Sequence, residues 1–324
     1  MSSTIVWTEA VVRATRDITP SVREFALAPV EPSLPYAAGS HLQVEVLVNG
    51  RPQTRHYSLI GQPDDGLYRI AVKQLPMGRG GSLAMWQLVP GERLRISEPR
   101  NFFPLSLRAP GYLLLAGGIG ITPLVLMAQT LAERGAPVRL VQGARTADEL
   151  AYGDLLRAAL GEHLKQVVDE LGERIDFAHE IASLPAGSQL YVCGPAPMLD
   201  AARQAWANAG RPAHDLRFET FGSGGQLTPQ PFGMKVPRLG IDITVAANES
   251  LLDALELAGV SALSNCRRGE CGLCALDVLA LDGVIDHRDV FLSAHERQLH
   301  QRICVCVSRV VGSITLDCAY RAEA

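Results

Sequence analysis

Residues 266–274 read C-R-R-G-E-C-G-L-C, and this stretch decides what the C-terminal part of the chain has to build. Cys266, Cys271 and Cys274 are spaced C-x4-C-x2-C, and Cys304 and Cys306 follow farther along the chain. This is the ligand spacing of a plant-type [2Fe–2S] centre. The loop offers two thiolates to one iron and one to the second iron, so another cysteine has to complete the set. The three cysteines could instead be small buried apolar residues, but this spacing with interleaved glycine favours a cluster.

The two glycines of this stretch support the same interpretation. Gly269 and Gly272 carry no side chain and reach positive φ freely, so the backbone can wrap closely and turn its amides toward the sulfurs. Such amide hydrogen bonds stabilise negative charge on the cluster and help to set its potential. His287 is a possible further ligand, but histidine seldom binds a cluster outside Rieske centres, and H-R-D is better explained as an element that orders a loop.

The fourth cysteine is not decided by spacing alone. Cys304 follows Cys274 after 29 intervening residues and Cys306 after 31. A strand predicted over residues 303–307 places both side chains on one face. The residues therefore leave both cysteines open as ligands.

Length, charge and cysteine usage limit the class of protein. A chain of 324 residues predicts two or three domains. The net charge of −4 favours neither nucleic acid nor an anionic membrane as a partner. Seven cysteines, an odd number that is concentrated near the C-terminus, do not resemble a disulfide framework. Because the first ten residues contain no apolar run after a basic segment, we expect a cytoplasmic protein.

Residues 1–107 are predicted to form a β domain. Short β-branched segments at residues 4–12, 22–27, 41–48, 55–60 and 68–72 are separated by turns such as Asn49-Gly50, which predicts an antiparallel barrel or sandwich.

The segment R-H-Y-S at 55–58 offers a cation, an aromatic ring and a hydroxyl group on a strand. The segment G-R-G-G-S at 78–82 precedes a short helix and could form an anion nest with Ser82 as N-cap. Each motif alone could also be ordinary strand decoration or a flexible loop.

Residues 108–221 are predicted to alternate strand and helix, as in a parallel α/β sheet. A strand at 112–116 leads into G-G-I-G-I-T-P at 117–123, where Thr122 can cap a helix that Pro123 begins. Further strands are predicted at 138–142, 174–178 and 189–193. Glycine between a strand and a helix presents backbone amides to a pyrophosphate. The alternative for this turn is an ordinary tight connection, and the alternative for Cys193 is a buried core thiol.

Residues 222–235 are rich in Gly and Pro and are predicted to be a linker. Residues 236–324 then form a third domain, in which a helix over 250–259, capped by Ser250 and ended by Gly259, precedes the cysteine loop. The order of elements predicts a β-grasp domain that holds the cluster near one edge.

The combination of R-H-Y-S, G-R-G-G-S, G-G-I-G-I-T-P, C-G-P and C-x4-C-x2-C followed by C-V-S-R resembles the phthalate dioxygenase reductase and vanillate demethylase reductase family over essentially the full length. The resemblance implies a multidomain protein with an antiparallel β-barrel flavin domain, an α/β nucleotide-binding domain and a β-grasp ferredoxin-like domain. It also implies FMN, NADH and a [2Fe–2S] cluster as cofactors, and it favours Cys306 as the fourth ligand because Cys306 begins C-V-S-R.

The resemblance implies roles for individual residues. Arg55 contacts the flavin phosphate, Tyr57 packs on the isoalloxazine ring and Ser58 bonds near its reactive nitrogen. The flavin site is completed by His56, Val72, Lys73, Gly80, Gly81 and Ser82. The nucleotide site is formed by Gly118, Gly120, Thr122, Cys193, Gly194 and Pro195. Phe221 matches an aromatic residue that shields the flavin. By the same resemblance, the candidate catalytic residues are Ser58, Cys193 and Phe221.

A hydride carries two electrons and the cluster takes one at a time, so a flavin has to stand between them. We expect an NADH-dependent oxidoreductase that reduces a separate Rieske-type terminal oxygenase, since this chain has no Rieske motif. Docking is expected to be transient and to involve Arg267, Arg268 and Glu270. The alternatives are a reductase of a non-Rieske acceptor and a redox-sensing module. Arg145 follows the second strand of the α/β sheet, where it could meet the 2′-phosphate of NADPH or lie on the adenine. We therefore expect NADH, with NADPH as the alternative.

Overall fold

The computed structural model describes residues 5–62, 65–76, 78–221 and 227–319. The chain divides into two compact units, one of residues 1–76 and 80–219 and the other of residues 77–79 and 220–324. Within the described residues, the first unit holds two β-sheets and the second unit holds one. None of the helices in these ranges is both long enough and apolar enough to cross a membrane.

The first sheet of the first unit is antiparallel and closes on itself. Its strands are β1 (Trp7–Thr19), β2 (Val22–Pro29), β3 (Ser40–Val48), β4 (Arg51–Ser58), β5 (Tyr68–Lys73), β6 (Arg93–Ser97) and β7 (Arg100–Asn101). They follow the order β4-β3-β6-β1-β2-β5, with β7 beside β3. The two edges meet where Leu59 pairs with Ile70 and the Ile60 N–H donates to the Arg69 carbonyl at 2.9 Å. The sheet is therefore a barrel, as predicted, and helix α1 (Gly81–Gln87) follows β5.

Strand boundaries in the barrel differ from the prediction at several points. β1 extends to Thr19, β4 begins at Arg51, and β6 was not predicted at all. The Asn49-Gly50 turn is confirmed. Both residues have positive φ, at 53° and 74°, which is the geometry of a type I′ turn between two antiparallel strands. Alternate apolar side chains then face a common core, including Phe25, Leu42 and Ile70.

The second sheet of the first unit is entirely parallel. Its strands are β8 (Tyr112–Gly117), β9 (Val138–Ala144), β10 (Leu164–Val168), β11 (Gln189–Cys193) and β12 (Leu216–Glu219), in the order β10-β9-β8-β11-β12. The helices between them are α2 (Thr122–Glu133), α3 (Gly153–Leu160), α4 (Phe177–Ala182) and α5 (Ala196–Asn208). After β8, the chain adds β9 and β10 on one side of β8, and it then adds β11 and β12 on the other side. A crevice for a ligand therefore lies beyond the carboxyl ends of β8 and β11.

The predicted strand at 174–178 is wrong. The third strand is β10, and α4 begins at Phe177 because Asp176 accepts a hydrogen bond from the His179 N–H at 3.0 Å and caps the helix. β10 is an edge strand of only five residues among polar neighbours, so its periodicity is weak.

The second unit is a mixed five-stranded sheet with a helix on its apolar face. Its elements are β13 (Phe232–Val236), β14 (Ile241–Val245), α6 (Leu251–Leu257), β15 (Ala275–Asp286), α7 (Ala294–Leu299), β16 (Arg302–Cys304) and β17 (Arg309–Asp317). The order is β14-β13-β17-β15-β16, and only β13 and β17 are parallel. Leu252 and Leu255 of α6 are buried against Met234 and Ile314. This arrangement is the predicted β-grasp.

The predicted ends of α6 are confirmed. Ser250 and Asp253 form a reciprocal capping box, and Gly259 with φ 78° ends the helix. Of the predicted linker at 222–235, residues 222–226 lie outside the described residues and β13 already begins at Phe232. The predicted loop between Gly283 and His300 instead contains the end of β15 and α7, which has a second capping box between Ser293 and Glu296. Polar cap residues make this helix resemble a loop in sequence.

Candidate functional site

The cysteine loop lies between α6 and β15 and is shaped by its two glycines. Gly269 has φ 76°, and a Cβ atom there would lie 2.8 Å from the Cα of Asp289. Gly272 has φ 70°, and a Cβ atom there would lie 2.2 Å from the ring of Phe291. Both positions therefore exclude a side chain for two reasons, the left-handed backbone and the lack of space. Phe291 is a residue of this site that the sequence interpretation missed.

Backbone amides of the loop point at cysteine sulfurs, as the sequence predicts. The Arg268 N–H donates to the Cys266 sulfur at 3.4 Å, and the amides of Glu270 and Cys271 donate to the same sulfur. The Gly269 amide donates to Cys306. Burial raises the pKa of the Cys266 thiol, and the amide donors oppose that rise. Donors arranged in this way favour the thiolate form, which is the form that binds iron.

The four predicted ligands form two thiol pairs. The Cys266 thiol contacts that of Cys271, and the sulfurs of Cys274 and Cys306 lie 3.1 Å apart. Nowhere in the described ranges do three or more His, Cys, Asp or Glu side chains form a site for a single metal ion. Two pairs of soft sulfur donors are what a two-iron cluster requires, so the donor set fits a [2Fe–2S] group. Cys304 also contacts Cys274.

Most charged side chains of the loop bind within the second unit. Arg268 is 5% exposed and pairs with Glu270 at 3.2 Å, and Glu270 also accepts hydrogen bonds from the Thr220 N–H and hydroxyl. The Arg268 side chain is therefore too buried to meet a partner directly, whereas Arg267 and Glu270 are partly exposed, and docking on the surface around this loop stays a prediction. Apolar side chains are exposed beside the loop instead, with Leu273 at 48% and Phe291 at 43%.

The H-R-D segment orders the loop, as the sequence predicts. The Asp289 carboxylate accepts hydrogen bonds from the Leu292 N–H at 2.8 Å and the Ser308 hydroxyl at 3.1 Å. The Val290 N–H donates to the Gly269 carbonyl at 2.9 Å. The segment thus ties the cysteine loop to the chain that follows Cys306.

In the first unit, the structure brings two of the predicted flavin motifs together. A Cβ atom on Gly81 would lie 2.3 Å from the Arg55 guanidinium, so the side chain of Arg55 crosses the start of α1. Arg55 also donates to the Thr54 carbonyl at 3.0 Å and to Gln53. A cation at the first turn of a helix can bind a phosphate.

Two predicted details of these motifs are different in the structure. Gly80, with φ 80°, is the N-cap of α1, whereas Ser82 lies inside the helix and accepts a hydrogen bond from the Leu75 N–H at 3.0 Å. Lys73 forms an ion pair of 2.9 Å with Glu149, in the connection after β9. The roles of Ser82 and Lys73 at a flavin remain predictions.

The remaining residues of the R-H-Y-S strand are packed within the first unit. Tyr57 packs against the barrel core, and burial raises the pKa of its hydroxyl. The His56 ring stacks on His41 with 5.2 Å between centroids, and Ser58 is buried. The Val72 carbonyl accepts a hydrogen bond from the indole of Trp86 at 2.9 Å. The contacts of these residues with a cofactor stay predictions.

At the parallel sheet, the turns after β8 and β11 pack directly on one another. A Cβ atom on Gly120 would lie 2.2 Å from the Cys193 carbonyl oxygen, and one on Gly194 would lie 3.1 Å from the Gly117 nitrogen. Gly118 has φ 54° and begins a short 3-10 turn. The structure therefore brings the glycine-rich turn and the C-G-P segment together at the predicted crevice.

Other residues of this site are placed as follows. Thr122 is the first residue of α2 rather than its cap, and its hydroxyl donates to the Ile119 carbonyl at 3.0 Å. Cys193 is fully buried and Pro195 is the N-cap of α5. Phe221 is half-buried and follows Thr220 in the second unit, so its predicted role beside the flavin remains a prediction.

Comparisons with known proteins assign a family model to each region. The oxidoreductase FAD-binding domain matches residues 9–103, the oxidoreductase NAD-binding domain matches 114–204, and the 2Fe-2S iron-sulfur cluster binding domain matches 235–311. These three models match most of the barrel, of the parallel sheet and of the β-grasp, respectively.

Relatives match over nearly the whole length. A heme-dependent oxidative N-demethylase beta subunit of Ectopseudomonas mendocina is 42% identical over 94% of this chain and 97% of the relative. A putative toluene-4-sulfonate monooxygenase system reductase subunit of Comamonas testosteroni is 39% identical over 98% of this chain and 100% of the relative. The solved structure of phthalate dioxygenase reductase, described as a modular structure for electron transfer from pyridine nucleotides to [2Fe–2S], matches with a TM-score of 0.79 and 32% identity, over 97% of this chain and 98% of that one.

Sequence identity of this extent, the three domains and the paired thiols agree. The chain belongs to the phthalate dioxygenase reductase family and is the reductase component of a multicomponent oxygenase system, an oxidoreductase that passes electrons from a pyridine nucleotide through a flavin and a [2Fe–2S] cluster to an oxygenase.

Proposed function

We propose that the chain oxidises NADH, uses FMN as its flavin and reduces a separate Rieske-type terminal oxygenase with which it associates transiently. The observation that carries this proposal is the coexistence of the two thiol pairs with the packed turns at Gly120 and Gly194 in one chain. A bound flavin accepts an electron pair and releases electrons singly, which the cluster requires. FMN is chosen on the family resemblance.

We assign the cluster to Cys266 and Cys271 on one iron and to Cys274 and Cys306 on the other. Cys306 is preferred over Cys304 because it receives the Gly269 amide and lies near Cys266 as well as Cys274. Amide donors that already point at these sulfurs would stabilise added negative charge without reorganisation.

We assign the flavin phosphate to Arg55 and Gly81 and the isoalloxazine to Tyr57 and Ser58. The crossing of Arg55 over the start of α1 supports the first assignment. Ser58 is buried at the end of β4, where its hydroxyl can serve as a fixed donor. His56, Val72, Lys73, Gly80 and Ser82 complete the proposed flavin site.

We assign the pyridine nucleotide to the crevice at the ends of β8 and β11. Gly118, Gly120 and Thr122 would face the pyrophosphate, and Cys193, Gly194 and Pro195 would lie near the nicotinamide. The glycines there let the two turns approach each other closely. Phe221 is proposed to shield the flavin.

NADH is preferred over NADPH in this proposal. The preference rests on the family resemblance, because Arg145 after β9 can lie on the adenine as well as meet a 2′-phosphate. Comparison of kcat/KM for the two nucleotides tests this preference, and equal values would contradict it.

The electron path is tested with a cysteine variant. Cys271→Ser should abolish cytochrome c reduction by NADH while flavin reduction under anaerobic conditions remains. Cys318→Ser, a buried cysteine of the same unit outside the thiol pairs, is the control and should retain both activities. Cytochrome c reduction that survives in Cys271→Ser would contradict the path. Chromatography of the flavin released on denaturation separates FMN from FAD.

A second candidate acceptor is a heme protein, because the relative with 42% identity is a subunit of a heme-dependent oxidative N-demethylase. Purification of the chain with its partner from the native host distinguishes the two candidates. A Rieske electron paramagnetic resonance signal in the partner supports the main proposal, whereas a Soret absorption band supports the second.

The cytoplasm is the proposed location of the protein. All seven cysteines lie in the described residues and none forms a disulfide, which is compatible with a reducing compartment. Cell fractionation with a tagged chain tests the location.

A further inference from the structure

Five cysteine side chains surround a site that needs four. Cys304 is fully buried and Cys306 is 2% exposed, and both thiols contact that of Cys274. The remaining two buried cysteines, Cys193 and Cys318, belong to other parts of the fold and are not part of this group. One thiol beside the proposed cluster therefore has no assigned role.

The backbone explains how two cysteines so close in sequence reach the same sulfur. β16 ends at Cys304, and the N–H groups of Val307 and Ser308 donate to the Cys304 carbonyl at 3.3 and 3.1 Å. The chain therefore turns at 305–307 instead of continuing as the predicted strand. In this turn Cys306 folds back toward the thiol of Cys274, beside the cysteine that ends the strand.

Cys304 is also held next to Cys274 by the main chain. Its neighbour in β15 is Ala275, and the Val305 N–H donates to the Cys274 carbonyl at 3.2 Å. The Cys304 thiol is thus fixed beside Cys274 whether or not Cys306 is present. A sulfur that needs no backbone rearrangement to stay beside Cys274 would be a ready substitute ligand for an iron that Cys274 holds.

We propose that Cys304 is a reserve ligand of the cluster, which binds the second iron when the thiolate of Cys306 is removed. The inference rests on the proposed assignment of Cys306. The exchange balances: the iron–sulfur bond to Cys306 breaks, one forms to Cys304, and Cys304 releases a proton to water. Where Cys306 is still present as a thiol, it takes up a proton. The oxidation state of iron does not change.

The test compares four variants of the full chain: Cys304→Ser, Cys306→Ser, the double variant and Cys318→Ser as a buried control. Iron and acid-labile sulfide per chain, the visible circular dichroism of the cluster and its electron paramagnetic resonance spectrum are measured after anaerobic reconstitution. We expect Cys304→Ser and Cys318→Ser to match the wild type. Cys306→Ser should retain about two irons per chain with a spectrum of four-thiolate type, although shifted slightly.

The double variant should lose most of its iron or show the altered spectrum of serine ligation. If Cys306→Ser has the same iron content and spectrum as the double variant, Cys304 does not replace Cys306 and the inference is wrong. If Cys304→Ser alone loses the cluster, Cys304 is the primary ligand, and the inference is equally overturned. If the wild-type chain binds no iron, the proposed function itself is contradicted. Bound flavin in every variant shows that the first unit is folded.

Discussion

The turns of the parallel sheet and the cysteine loop are both rich in glycine, but the glycines serve different purposes. At Gly120 the obstacle to a side chain is the backbone carbonyl of Cys193, in a turn that the sheet order has placed next to it. At Gly272 the obstacle is the ring of Phe291, and the backbone has positive φ. The first glycine is fixed by sheet topology, whereas the second is fixed by a loop that has to direct its amides at sulfur.

This difference predicts where each region is vulnerable. The turns rest on five parallel strands and tolerate little displacement, because the strands cannot separate without loss of their hydrogen bonds. The cysteine loop has no strand or helix of its own and depends on ion pairs and side-chain hydrogen bonds such as those of Glu270 and Asp289. Substitutions in the two regions should therefore differ in size and in what they damage.

The largest effect is expected for Gly120→Ala. The new methyl group would lie 2.2 Å from a backbone oxygen that cannot move alone, so the free energy of unfolding of the first unit should fall by about 4 kcal/mol. Denaturant unfolding followed by tryptophan fluorescence measures this, since Trp7, Trp86 and Trp206 all lie in the first unit, and NADH should no longer reduce the flavin in the surviving fraction.

Gly135→Ala is the control for that change. Gly135 has φ 64° and ends α2, but no atom would lie within 4 Å of a new Cβ. Its cost should be about 1 kcal/mol from backbone strain alone. Equal losses for the two variants would show that the contact between the turns does not matter.

The next effect concerns the buried ion pair of the cysteine loop. Glu270→Gln removes the carboxylate that lies 3.2 Å from the buried Arg268 guanidinium, so the second unit should lose about 3 kcal/mol of stability. Hydrogen exchange of residues 266–274 measures the local opening. Glu256→Gln is the matched control, because its partner Arg267 is exposed and the pair should contribute at most about 1 kcal/mol.

A smaller effect is expected for Gly272→Ala, since the Phe291 ring can rotate away from the new methyl group. Left-handed strain and ring displacement together should cost about 2 kcal/mol and accelerate loss of iron on chelation. Gly259→Ala, with φ 78° and open space, should cost about half as much and leave the release of iron unchanged. Identical iron release from both variants would contradict the proposed role of the Phe291 contact.

The smallest effect is expected for an exposed charge pair at the start of β5. A hydrogen bond from Arg69 lowers the pKa of Asp65 from 3.8 to about 2. The pair therefore stabilises the folded state above pH 4, and this contribution is lost as the pH falls toward 2. Because both side chains reach solvent, Asp65→Asn should produce only a slight loss of stability at pH 7, and this loss should shrink as the pH falls through about 2. A larger loss of stability at acid pH than at pH 7 would contradict this pH dependence.

The sequence predicted most of the fold correctly because its signals were local. The Asn49-Gly50 turn, the Ser250 cap and the Gly259 helix end are all confirmed by their backbone angles or hydrogen bonds. Cysteine spacing likewise identified the loop that contains the thiol pairs. In each case one residue type is needed at one position, whatever lies around it.

The wrong predictions concern positions where tertiary contacts, rather than local sequence preference, determine the structure. β10 is a short edge strand among polar residues, so its sequence carries little periodicity. Ser82 and Thr122 are good cap residues, yet each lies after the actual N-cap, Gly80 or Ile121, and their hydroxyls bond to backbone groups. Arg268 is charged and was expected on a docking surface, but its side chain is buried and paired with Glu270.

By itself, the sequence determined the three-domain order, the nucleotide turn and the cysteine set, because each depends on residue type and spacing along the chain. Only the tertiary structure decided that the turns at Gly120 and Cys193 touch and that the thiols pair two by two. It also brought Cys304 and Cys306 to the same sulfur. These relations join residues that are far apart in sequence or separated by a turn, so distance in space and not spacing along the chain sets them.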